Sequence, residues 1–100
     1  MDNDVVHILT GFRNRAASIS QAIFKDFRTS VKRLDRQTDE NVFQRLQARY
    51  LQELDKQLHQ IAEKTVKEYS PYSTATNLHH ELAGQISYLL AEFLHKAKSM

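Results

Sequence analysis

A chain of 100 residues with two glycines and one proline has very few places where its backbone can turn sharply. Sheet proteins need a turn every several residues, and glycine, proline and asparagine supply most of them. With breakers this scarce, and with Leu, Ala, Gln, Lys and Glu abundant, the chain is constrained to long uninterrupted helices. Pro71 has to lie between helices, because its ring removes a backbone donor and clashes with the preceding turn.

The apolar residues follow the same constraint. From Val5 they recur at Leu9, Phe12, Ala16, Ile19, Ile23, Phe27, Val31 and Leu34, always three or four apart. At 100° per residue these positions form one stripe, the pattern of an amphipathic helix over about residues 4–34. Gly11 falls on the opposite side, where it costs about 1 kcal/mol relative to alanine without ending the helix. Asp35 to Thr38 interrupts the stripe, and Thr38 or Asp39 can cap a second helix. That helix, about 40–69, carries Phe43, Leu46, Tyr50, Leu54, Leu58, Ile61 and Tyr69, with Leu51, Ala62 and Val66 widening the stripe. Acids at Asp39 and Glu40 suit the positive end of its dipole. A third helix has two competing starts. Ser70 could cap it with Pro71 in its first turn, or Thr76 could cap it after a loop; the weak helix formers Ser73 to Thr76 favour the later start, giving about 76–96. Its stripe is Leu78, Leu82, Ile86, Leu89, Leu90, Phe93 and Leu94.

These readings predict an all-α single domain over 1–100, an elongated antiparallel three-helix bundle. Helices of about 30 residues span about 45 Å. The shorter third helix should leave part of the first pair uncovered, and uncovered apolar surface tends to be buried by a partner. Dimerisation into a larger helical bundle is therefore expected.

Composition bounds the chemistry. At 41% hydrophobic and 26% charged the chain falls in the globular range. No cysteine is present, which removes disulfides, thiolate metal sites and cysteine nucleophiles. No apolar run approaches the ~20 residues of a membrane span, and residues 1–12 lack the basic flank of a secretory signal. A cytoplasmic protein without a membrane partner is expected. No nucleophile elbow, Gly-rich phosphate loop or clustered core carboxylates occur, so no enzyme and no cofactor are expected. Glu92 and His95 have the Glu-x-x-His spacing of carboxylate di-iron bundles. Only one such motif occurs, and by helical phase both residues, like His59 and Glu63, face solvent, so no metal site is expected.

Net charge is only +2, but it is unevenly spread. Between Gly11 and Arg36 lie seven basic residues and two acids. Lys25, Arg28, Lys32 and Arg36 form one row opposite the apolar stripe. Such a row is ordinarily a solvated helix face; it could also steer an acidic protein partner or contact successive phosphates of a nucleic acid. Phe24, at the edge of its stripe, and Tyr88, well off its own, are candidate interface aromatics; half-buried packing would explain them as well.

One segment carries a resemblance. The stretch His80-Glu81-Leu82-Ala83-Gly84 resembles the H-x-L-x-G pattern around the phospho-accepting histidine of histidine phosphotransfer domains, which are helical bundles. The resemblance implies phosphorylation at His80, with Gly84 leaving room for a receiver. It covers about six residues, and Ala83 stands where that family usually has a basic residue. The residues themselves fit an exposed histidine beside a small residue. The expected function is a non-enzymatic helical protein–protein interaction module, such as a regulator, adaptor or inhibitor of another protein, with nucleic-acid binding through the basic face of a dimer and phosphotransfer at His80 as alternatives.

Overall fold

In a computed structural model the described residues are 2–35, 37–69 and 75–99, with side chains for 6–35, 37–68 and 78–99. They form α1 (Asp2–Val31), α2 (Glu40–Tyr69) and α3 (Ala75–Lys98), and no strand occurs among them. Helices of 30, 30 and 24 residues pack into a rod of 54 × 17 × 16 Å. The fold is all-helical, with the three helices packed on one another. Phe27, near the end of α1, meets both Phe43 at the start of α2 and Phe93 near the end of α3. The helices therefore run up, down and up.

Each stripe becomes the buried side of its helix. Phe12, Ala16, Ile23, Phe27 and Val31 from α1, Phe43, Leu54, Leu58 and Ala62 from α2, and Leu78, Leu82, Ile86, Phe93 and Ala97 from α3 form one core. The half-buried Leu9, Ile19, Leu46, Tyr50, Ile61 and Leu89 pack around it. Burying each large side chain contributes roughly 1.5–3 kcal/mol, the driving force that aligns the stripes. Thr65 is buried among these apolar side chains because its hydroxyl donates to the Ile61 carbonyl at 2.7 Å, so that hydroxyl is not left unpaired.

The first helix ends at Val31, three residues before the periodicity does. Leu34 N–H donates to the Val31 carbonyl at 3.0 Å, a tight turn that carries Leu34 back onto the core. The spacing of three therefore continues through a turn. Two aspartates then fix the connection. The Asp35 carboxylate accepts from Gln37 N–H at 2.9 Å, and the Asp39 carboxylate accepts from Asp35 N–H at 3.1 Å. Asp39 precedes α2 and its carbonyl accepts the Phe43 N–H, so it occupies the capping position while its side chain ties down the turn instead. The third helix extends past Lys96 because Ala97 is fully buried, and the Ser99 hydroxyl closes its end on the His95 carbonyl at 3.0 Å. It begins at Ala75; the competing start at Ser70 and Pro71 lies outside the described residues.

Helix α1 runs unbroken through Gly11. Among the described residues no helix is long and apolar enough to cross a membrane.

Candidate interaction surface

One end of the rod is sealed by rings. Phe27 lies 5.4 to 6.2 Å from Phe24, Phe43, Tyr50 and Phe93. Phe24 meets Phe93 edge-on, at 5.8 Å and 88°. Offset and edge-to-face pairs of this kind add about 0.5–1.5 kcal/mol each to simple burial. The Tyr50 and Ser30 hydroxyls share a hydrogen bond of 2.7 Å that ties α1 to α2 across the same end. Phe24, a candidate interface aromatic, is thus half-buried in this cluster. Lys96 Nζ lies 5.6 Å from its ring centroid, a cation–π arrangement, and also pairs with Glu92 at 3.1 Å.

The middle of the rod is built differently. Here Arg13 of α1 faces Gly84 and Gln85 of α3, and Ser20 lies nearer the rings, beside Phe24, Leu89 and Phe93. An open groove of about 690 Å³ lies here, lined by Arg13, His80, Glu81, Gly84, Gln85, Tyr88 and Leu89. A Cβ added at Gly84 meets nothing within 4 Å, so the glycine leaves open space in the groove wall. His80 and Gly84 share the groove rim, both exposed. Tyr88 is 69% exposed. Val6, 59% exposed, lies seven residues before Arg13 and so on the same face of α1. The remaining exposed large hydrophobic side chain among the described residues, Val42, is on α2.

Two polar atoms at this seam are buried without a hydrogen-bond partner, Ser20 Oγ and Gln85 Oε1. An unmade hydrogen bond of this kind costs about 1–3 kcal/mol. Sequence reading did not single out Ser20, Gln85 or Arg13. A signal was present: Ser20 is four residues before Phe24 and Gln85 four before Leu89, so each puts a polar group on the shoulder of an apolar stripe. A second depression, about 360 Å³ between α2 and α3, is walled by Phe43, Ala48, Leu51 and Leu94. Neither buried unpartnered atom lines it.

The basic row is placed in two parts. Lys25 and Arg28 are exposed on α1, whereas Lys32 is exposed in the turn after its last residue. Arg36 lies outside the described residues. The fold adds a cation that helical spacing could not supply, because Lys96 of α3 reaches over Phe24, the neighbour of Lys25. His59 is held on α2 by Asp55, whose carboxylate lies 3.0 Å from its Nδ1. No three His, Cys, Asp or Glu side chains gather into a metal-binding group among the described residues. No protein-family model, curated protein or solved structure matches the chain.

Proposed function

We propose that this chain is a non-enzymatic helical protein–protein interaction module, of the regulator or adaptor kind, whose contact surface is the α1/α3 face. The observation that supports this reading is the groove at mid-rod, whose lining includes Gln85 with its Oε1 buried and unpaired. Native interiors satisfy nearly all such atoms, and a partner helix is one way to do so. Tyr88 is the aromatic suited to anchor it, being exposed on the groove wall. The cations Arg13, Lys25 and Arg28 would steer acidic segments toward the face.

Affinity capture from source-cell extract, with the wild type beside Gly84→Trp, tests this. A Cβ at position 84 meets nothing within 4 Å, and an indole carried on it would project into the groove that Gly84 lines. The expected result is a stoichiometric bound polypeptide, another protein or an untagged copy of this chain, that Gly84→Trp loses while keeping its helical circular dichroism. Equal recovery by both proteins, or none by either, would remove the reading.

A second reading, nucleic-acid binding, is favoured by one observation: Lys96 joins Lys25 at the cationic end. It predicts a salt-sensitive mobility shift with DNA or RNA that is lost when Lys25, Arg28 and Lys96 become Glu. The absence of any shift at low salt rejects it.

A further inference from the structure

The rod is polarised in charge. Phe27 meets Phe43, Tyr50 and Phe93, so residues 25–35, 39–50 and 92–99 share the ring-sealed end. This end holds eight basic residues against five acids, whereas the remaining described residues hold five basic against seven acidic. Four of its five acids are engaged within the chain. The Asp35 and Asp39 carboxylates accept backbone N–H groups of the turn, Glu40 accepts from the Gln44 amide at 3.2 Å, and Glu92 pairs with Lys96. Asp26 is the fifth. The helix dipoles bring two carbonyl ends and one amide end to this level, a net of about half a negative charge, too little to reverse the excess.

The cations fall on the exposed sides of two neighbouring helices. Lys25 and Arg28 are exposed on α1, and Lys32 and Arg33 in the turn that follows it. Arg45 and Arg49 are exposed one turn apart on α2, on the side opposite the buried Leu54 and Leu58. Among the described residues no ion pair engages any of these six. The hydrogen bond between Ser30 and Tyr50 holds the two helices together at this level. Axes of packed helices lie about 8–10 Å apart, and side chains directed outward from each diverge beyond that. The two sets are therefore spaced like the sugar–phosphate strands that flank the ~12 Å major groove of a duplex.

This end lacks what other partners of a basic surface require. Of the large hydrophobic side chains exposed among the described residues, only Val42 lies here. The rings of the end are buried or half-buried, so the bases of a single strand have no platform to stack on. Membrane-surface helices turn a broad apolar face outward, and stable protein interfaces have an apolar or aromatic centre. One valine supplies neither. A duplex, with one negative charge per about 1.7 Å of its axis, needs only closely spaced cations.

We infer, resting on the nucleic-acid reading above, that the ring-sealed end binds the phosphate backbone of double-stranded nucleic acid without sequence preference, through the cations of both α1 and α2. The groove at mid-rod takes no part and stays open to a protein partner.

Fluorescence anisotropy of the full chain tests this, with two labelled DNA duplexes of unrelated sequence, the single strands of one of them, and phosphatidylserine–phosphatidylcholine vesicles in parallel. Affinity for the two duplexes should agree within about twofold and exceed that for the single strands. With six phosphates contacted it should fall about a thousandfold between about 50 and 200 mM salt. Arg45→Gln combined with Arg49→Gln should weaken duplex binding roughly tenfold or more and lower the slope against log salt by about two, with the helical circular dichroism unchanged. Lys56→Gln combined with Lys64→Gln, exposed farther along α2, should leave the slope as it was. No binding to any nucleic acid at low salt rejects the nucleic-acid reading and the inference together. Duplex binding that is lost when Lys25, Arg28 and Lys96 become Glu, yet is indifferent to the Arg45 and Arg49 substitutions, keeps that reading and overturns the two-helix surface. Tighter binding to single strands, or to the vesicles with none to the duplex, overturns the inference in favour of a different polyanion.

Discussion

The ring-sealed end of the rod and the middle of its α1/α3 seam use the same two helices for opposite purposes. At the end, Phe24, Phe27 and Phe93 fill the space between α1 and α3, and Lys96 covers the outer ring. Two to three turns away Arg13 faces Gly84 and Gln85, and the space stays open. Dense aromatic packing holds the fold at one level, which lets another level tolerate a groove and the unpaired Gln85 Oε1. Stability and recognition are thus separated along a single helix pair, and each region can be perturbed alone.

The largest effect should come from the sealed end. Phe27 is fully buried and meets four other rings. Phe27→Ala should cost about 3–5 kcal/mol. For a domain of this size each kcal/mol lowers Tm by about 4–8 °C, so the variant should be largely unfolded near physiological temperature by circular dichroism. A loss below 1 kcal/mol would mean that the end is not the anchor of the fold.

The seam should respond in the other direction. Ser20→Ala removes a buried hydroxyl that has no partner and raises helix propensity. Urea denaturation should show a gain of about 1–2 kcal/mol. A loss instead would show that the hydroxyl is satisfied in solution, and the seam beside the rings would then carry no strain at this residue.

How much of this was legible beforehand follows from what periodicity encodes. Spacing of three and four residues states which side of a helix is apolar, and Phe12, Ile23, Phe27, Leu54, Leu58, Leu82 and Phe93 all lie where their stripes put them. The exposure of His80, Gly84 and Tyr88 came from the same phase argument. Periodicity does not state where a helix stops if the turn preserves the spacing, as at Val31 to Leu34. It is also ambiguous for small or hydroxyl-bearing residues, and it left Thr65 and Ala97 out of the core. Least accessible was the seam, because the pairing of Arg13 with Gln85 and of Ser20 with Leu89 and Phe93 depends on how the helices are arranged around the core. Lys96 joined the cationic end for the same reason.

A smaller effect returns to the sealed end and asks whether polar contacts contribute there. Tyr50→Phe keeps the ring beside Phe27 and removes the hydroxyl that meets Ser30 at 2.7 Å. The expected cost is about 0.5–1 kcal/mol, the ordinary net value of one hydrogen bond, several times less than Phe27→Ala. If thermal denaturation shows the two variants equally damaged, the hydroxyl bridge is a principal fastening and the rings are secondary.

The smallest effect compares the two glycines, which differ in place while sharing a conformation. Both sit inside helices, neither has a positive φ, and a Cβ at either meets nothing within 4 Å. Glycine in a helix interior is worse than alanine by about 0.5–1 kcal/mol, because the unfolded chain loses more freedom. Gly11→Ala and Gly84→Ala should each raise stability by that amount in urea titrations. Only Gly84 borders the groove, so only there does the missing side chain have a second consequence, the room it leaves for a partner. Equal gains in stability, with partner affinity altered by Gly84→Ala alone, would show that α3 forgoes helix propensity where it needs space. Unequal gains in the isolated chain would mean that Gly84 contributes to the fold itself, and the division between a supporting end and a receiving middle would have to be redrawn.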